Sequence, residues 1–157
     1  MTYLNHTSLR AAAAVLTGIA GGATAQAMCL WGSDLSRFLP PMPLLSLAAA
    51  FGAAGAGALL ADAWGRQGWR GCLLSILIWP VATVLGACLA VMPFGLVEQG
   101  WPSNAVLALA DAFATTAPLG IFAVLNGITS SVHVAAIWLI SGALVHIGLR
   151  AERQRAI

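Results

Sequence analysis

The chain has 157 residues, of which 60% are hydrophobic and only 8% are charged, and its mean hydropathy is +0.89. Soluble domains carry about 25% charged residues because their surface faces water, so this composition excludes an ordinary soluble domain and predicts a protein solvated by lipid. The length suits one domain, and a net charge of +2 gives no support to nucleic-acid binding.

The first predicted span covers residues 11–31, which carry no charge. Ala23-Thr24-Ala25 has the A-x-A pattern of a signal-peptide cleavage site, so a cleaved leader is the alternative. A signal peptide has an apolar core of about 7–15 residues, whereas this apolar run continues to Trp31 and reaches spanning length. We therefore expect an uncleaved span with Trp31 at the membrane interface.

The second and third spans are predicted at residues 44–64 and 72–96. Pro40-Pro41-Met42-Pro43 excludes helix in the connection before the second span. Trp64 ends the second span and Trp69 precedes the third, so both are predicted at the inner face, where interfacial aromatic residues are expected.

Residues 105–149 are long enough for either one or two further spans, and the arginines decide between these alternatives. With four spans and both termini inside, a single arginine, Arg37, lies outside, and six lie inside: Arg10, Arg66, Arg70, Arg150, Arg153 and Arg155. Five spans would divide the seven arginines 4 to 3. The positive-inside rule thus favours four spans, the fourth at 127–149 after a turn at Asn126-Gly127.

Residues 104–117 are then predicted to form a short amphipathic helix, either interfacial or re-entrant. Asn104, Asp111 and Thr115 follow one another at +7 and +4, which draws a polar stripe along a helix. We expect Pro118 and Gly120 to end this helix. The predicted fold is therefore all-α, a bundle of four transmembrane helices plus one short helix.

Catalytic and metal-binding motifs are absent from the sequence, so we expect no catalytic residue, no metal and no cofactor. The glycine-rich stretches GIAGGA and FGAAGAGA lie within predicted spans, where small residues let helix backbones approach closely. Gly18 and Gly22 form a G-x-x-x-G pair, and Gly52 and Gly57 each keep the same spacing with an alanine. These four glycines are the predicted helix-packing residues.

Four ionisable or polar residues remain as candidate functional side chains. His133 and His146 are weak candidates for haem binding, because thirteen residues place them about 140° apart around one helix. Asp111 is the most notable ionisable residue, since a carboxylate at membrane depth is costly and is a functional hypothesis by default. Asp111, Asn126 and His133 are the candidates for a transport path.

The leading functional prediction is a non-enzymatic subunit or helper that packs against itself or against a partner membrane protein. One alternative is a small solute or ion carrier or channel, and another is a redox subunit associated with haem or quinone. All seven basic residues are arginine, and alanine and glycine are abundant, which is typical of a GC-rich bacterial genome. We therefore predict a multi-pass protein of the bacterial inner membrane with both termini cytoplasmic.

Overall fold

The computed structural model describes residues 2–31, 43–99 and 105–155, and in these ranges the chain is helical and contains no strand. The helices are α1 (Thr2–Trp31), α2 (Leu44–Leu59), α3 (Gly68–Gln99), α4 (Ala105–Ser130) and α5 (Val132–Arg155), and a short 3-10 helix, Ala61–Ala63, follows α2. The all-α prediction is confirmed.

Four helices contain segments that are long and apolar enough to span a membrane. The segments are Thr7–Trp31, Gly68–Met92, Phe113–Ser130 and Val132–Arg155. Their number and character support a transmembrane helical bundle, but the set differs from the predicted one. The segment in α4 was predicted as a short helix, and α2, predicted as a span, has only 16 residues.

The predicted span 44–64 is too long, because α2 ends at Leu59 and Trp64 has an extended backbone. The Arg153 side chain of α5 binds the segment that follows α2. Its guanidinium donates hydrogen bonds to the carbonyl oxygens of Trp64 (2.7 Å), Asp62 (2.9 Å) and Ala61 (3.2 Å). Charged hydrogen bonds from a guanidinium to these carbonyl oxygens stabilise the turn that follows α2.

Trp64 is fully buried inside the protein, with an exposed fraction of 0%. It packs in the core with Trp79, Val145 and Leu149. Gly65 follows in a left-handed conformation (φ 67°), and a β-carbon there would lie 2.7 Å from the Arg150 nitrogen. Only glycine fits both the backbone angle and this close approach to α5.

The predicted end of the short helix at Pro118 is wrong, because α4 continues through Pro118 to Ser130. Membrane helices tolerate proline because neighbouring groups satisfy the carbonyl that it frees. Gly120 does not break the helix either, since it packs α4 against α3: a β-carbon there would lie 2.7 Å from the Ala87 oxygen. The predicted turn at Asn126-Gly127 is also helical, so the last helix runs over 132–155 instead of 127–149.

Contacts between distant residues give the helix directions. Gly18 faces Ala50 and Ala54 of α2, whereas the earlier Ala13 and Thr17 face the later Gly57, so α1 and α2 are antiparallel. On α5, Gly148 packs on Leu16 and His133 stacks on Trp31, so α1 and α5 are antiparallel too. The beginning of α1 and the end of α5 therefore lie at the same end of the bundle.

Candidate functional site

The first candidate feature is the contact between α1 and α2, which consists of small residues. A β-carbon on Gly18 would lie 3.2 Å from the Ala50 oxygen, and one on Gly22 would lie 3.4 Å from Ala50 Cβ. At Gly57 the fit is tighter, with the Ala13 oxygen 2.7 Å from the same hypothetical atom. The backbones therefore approach most closely at Gly57, where dispersion contacts replace the lipid contacts that a larger side chain would make.

A second small-residue contact joins α2 to α3. A β-carbon on Gly52 would lie 2.7 Å from the Ala90 nitrogen, and one on Gly86 would lie 3.1 Å from Ala53 Cα. All four predicted packing glycines thus lie where α2 meets α1 or α3. Gly86, on the opposite side of the second contact, was not among them, although it belongs to the same residue class.

Polar side chains inside the bundle form a ladder between α3 and α5. Ser75 Oγ lies 2.6 Å from His146 Nδ1 and 3.0 Å from the Gly71 carbonyl oxygen, to which it donates. Because that hydroxyl has one proton, it accepts the proton of Nδ1 when it donates to Gly71. His146 is thus tied to α3 and serves as a helix-to-helix hydrogen-bonding residue.

Two tryptophans continue this ladder. Trp79 Nε1 donates to the Trp138 carbonyl oxygen (3.0 Å), and Trp138 Nε1 donates to Thr83 Oγ1 (2.9 Å). Trp64 packs edge-on against Trp79, with 5.8 Å between ring centroids, and its buried Nε1 finds no acceptor in the described part of the chain. The exchange of donors across α3 and α5 fixes the register of these two helices.

His133 lies apart from this ladder. It is exposed at the start of α5, and its ring stacks on Trp31 with 5.8 Å between centroids. The two histidines thus contact different helices, α1 for His133 and α3 for His146. Within residues 2–31, 43–99 and 105–155, no group of three His, Cys, Asp or Glu side chains is placed to hold a metal ion.

Asp111 lies on the side of α4 that points away from the bundle. Gly120 follows it by nine residues and Gly127 by sixteen, which places both glycines nearly half a turn round the helix. These glycines are buried, Gly120 against Ala87 and Gly127 against Met28. The carboxylate is therefore on the exposed side by both helix geometry and burial.

The residues at four-, eleven-, fourteen- and eighteen-residue spacings from Asp111 share its side of α4. We call this set the α4 outward face, and all its members are exposed: Leu107, Asp111, Thr115, Phe122, Leu125 and Thr129. The two threonines satisfy their hydroxyls on their own helix, through Asp111 O (2.8 Å) and Leu125 O (2.8 Å). Asp111 is the only charged group of this face.

The three transport-path candidates are not brought together around a common interior space. Asp111 and His133 are exposed, Asn126 is half-buried, and fifteen residues separate Asp111 from Asn126 along α4, about 22 Å at the helical rise. Sequence reasoning gave no contact between helices to Ser75, Thr83 or Arg153, the polar residues that join distant helices. The only feature of the sequence that could have indicated their role is that each has a polar side chain in or beside an apolar span.

No protein-family model matches the chain, and neither a curated protein nor a solved structure resembles it detectably.

Proposed function

We propose that this chain is a non-enzymatic subunit or helper of the bacterial inner membrane, and that it packs against a second copy or another membrane protein through the α4 outward face. The exposed carboxylate of Asp111 on an apolar helix is the observation that carries the proposal. The same helix packs on α3 and α1 through its opposite side, and the α4 outward face is exposed in the described part of the chain.

Neither lipid nor water suits the α4 outward face. Lipid disfavours a carboxylate by several kcal/mol, roughly 2.5–3.5 at the centre of a helix. Water disfavours Leu107, Phe122 and Leu125, whose side chains are 67%, 59% and 53% exposed. A partner helix with a hydrogen-bond donor opposite Asp111 and apolar groups on either side would satisfy both requirements.

The proposed topology has both termini in the cytoplasm. The beginning of α1 and the end of α5 share one end of the bundle, which supports an even number of crossings. Four crossings by α1, α2, α3 and α5 fit such a count, with α4 on the outer side or entering the bilayer from it. In this arrangement α2, whose 16 residues are about 24 Å long, crosses together with the 3-10 helix that follows it. The arginine distribution supports placing the shared end in the cytoplasm.

The carrier and redox hypotheses have less support. A carrier needs its polar groups around a shared path, whereas Asp111 and His133 lie on the exposed surface of the protein. A haem held between two helices needs two free imidazoles that face each other, whereas His146 hydrogen-bonds Ser75 and His133 stacks on Trp31.

The test is the mass of the protein purified in mild detergent, measured by light scattering after size exclusion. We expect a complex heavier than one 16.1 kDa chain. Asp111→Asn combined with Leu125→Ala should dissociate it, because both changes lie on the α4 outward face. Leu144→Ala is the matched control, since Leu144 is an equally exposed leucine on α5 (61%).

The identity of the second component separates the two kinds of partner. A mass that is a multiple of 16.1 kDa would indicate self-association, and a stoichiometric second protein would indicate a helper. A single-chain mass, together with no cross-link from a cysteine at position 125 in intact membranes, would contradict the proposal.

A further inference from the structure

Three segments that are distant in sequence meet at one end of the bundle. Arg10 of α1 lies 4.0 Å from the Asp62 carboxylate, in the connection between α2 and α3. Arg66 Nε donates to the Asp62 carbonyl oxygen (3.1 Å), and Arg153 of α5 donates to the same oxygen (2.9 Å). Asp62 is thus the point around which arginines from α1, the α2–α3 connection and α5 assemble.

This convergence concentrates the positive charge of the chain. The basic end, as we call it, has six arginines: Arg10, Arg66, Arg70, Arg150, Arg153 and Arg155. Asp62 and Glu152 are its carboxylates, so its net charge is 6 − 2 = +4. The whole chain has a net charge of +2, so the remainder carries −2.

Much of this charge is available to a ligand. Arg66, Arg70 and Arg150 are exposed, and in the described ranges none of them forms an ion pair with a carboxylate. The Arg153 guanidinium donates to the carbonyl oxygens of Trp64 and Ala61, which are neutral. An anion at this end would therefore displace few existing interactions.

A tryptophan at the same end indicates the kind of anion. Trp69 is 70% exposed in the first turn of α3, and the Arg70 guanidinium lies 5.9 Å from its ring centroid. The apolar segment of α3 begins at Gly68, so Trp69 stands at the border of that segment. An exposed indole there is typical of the headgroup layer of a bilayer, where its ring meets lipid and its N–H meets polar groups.

We propose that the basic end binds the headgroups of anionic phospholipids, with Arg66, Arg70 and Arg150 as the phosphate-binding side chains and Trp69 as the neighbouring anchor. Guanidinium groups bind phosphate in a bidentate geometry, and basic residues beside a span attract anionic lipid. This inference does not depend on the α4 outward face, so either proposal stands or falls alone.

The test compares two lipids with identical acyl chains, phosphatidylglycerol and phosphatidylcholine, as ligands that raise the thermal unfolding temperature in an uncharged detergent. We expect phosphatidylglycerol to act at lower concentration, and raised salt to weaken this preference. The triple variant R66Q/R70Q/R150Q should need on the order of 100-fold more phosphatidylglycerol for half of the effect. Its unfolding temperature in phosphatidylcholine checks that it is folded.

The triple variant R66K/R70K/R150K is the matched control, because it keeps the charge and should lose only a few-fold. If the glutamine triple variant fails to fold, the single variant Arg70→Gln replaces it, with an expected loss of about 5-fold. Equal effects of the two lipids, or a preference that survives the glutamine triple variant, would overturn the proposal. So would an equal shift with inorganic phosphate, which would indicate a free-anion site, or a larger one with an acidic peptide, which would indicate a protein partner.

Discussion

Gly57→Ala should destabilise the bundle, although alanine is the better helix former. The new methyl group would lie 2.7 Å from the Ala13 carbonyl oxygen and 2.8 Å from Thr17 Cβ. It would also collide with Thr17 Oγ1, which donates a 2.6 Å hydrogen bond to that same carbonyl. The Ala13 oxygen and Thr17 Cβ are held in place by the backbone of α1 and cannot rotate away. The two helices therefore have to separate.

The separation required sets the size of the effect. Ordinary van der Waals contact begins at 3.4 Å, so 2.7 Å requires α1 and α2 to move apart by about 0.7 Å, a gap that removes roughly a quarter to a half of each dispersion contact along the seam. Overpacking of this kind costs about 1–3 kcal/mol, and disturbing the Thr17 hydrogen bond adds about 1 kcal/mol. Helix propensity returns about 1 kcal/mol. We expect a net loss of about 1–3 kcal/mol in the free energy of unfolding.

Gly22→Ala is the matched control on the same seam. Its methyl group would lie 3.4 Å from Ala50 Cβ and 3.5 Å from the Ser46 oxygen, which is ordinary contact. Without a clash, the propensity gain of about 1 kcal/mol should make this variant as stable as the wild type or more stable. The contrast between Gly57 and Gly22 isolates helix packing from backbone propensity.

The assay is equilibrium unfolding in mixed micelles with increasing sodium dodecyl sulfate, followed by circular dichroism. Thr17→Ala in the Gly57→Ala background should recover part of the loss, because it removes one of the colliding atoms. A Gly57→Ala protein as stable as the wild type would refute the close approach of α1 and α2. Equal destabilisation by Gly22→Ala would attribute the effect to something other than packing.

Three further predictions concern polar residues and topology. Arg153→Gln should lower the free energy of unfolding by about 1.5–3 kcal/mol, because it removes charged hydrogen bonds to three carbonyl oxygens. Arg153→Lys should recover only part of this loss. An Arg153→Gln protein as stable as the wild type would contradict the stabilising role of these bonds. Trp138→Phe keeps an aromatic side chain but loses the 2.9 Å bond from Nε1 and part of the indole volume, so we expect a loss of at least about 1 kcal/mol in the same unfolding assay. An unchanged midpoint would contradict this prediction. A reporter fused after residue 157 and one inserted in the loop 65–67 should both report the cytoplasm. Reporters found on opposite sides of the membrane would favour five crossings.

The helical fold and its apolar spans follow from local features of the sequence. Residues 11–31 have no charge over a full spanning length, and α1 and the apolar segment of α3 contain most of the predicted first and third spans. A glycine with another small residue four positions away predicts a helix surface that packs closely against a second helix. These properties depend on residues within a few turns of one another, so they can be deduced from a single sequence.

Only the tertiary structure decided where α2 and α4 end and which polar groups meet. Trp64 is buried because it packs against Trp79, Val145 and Leu149, its carbonyl oxygen is bound by Arg153, 89 residues later in the chain, and Ser75 meets His146 across 71 residues. Pro118 remains within a helix because α4 packs on α3 through Ala117 and Gly120, on both sides of that proline. Each outcome depends on a contact between distant residues, and a local pattern cannot specify such a contact because it does not contain the second partner.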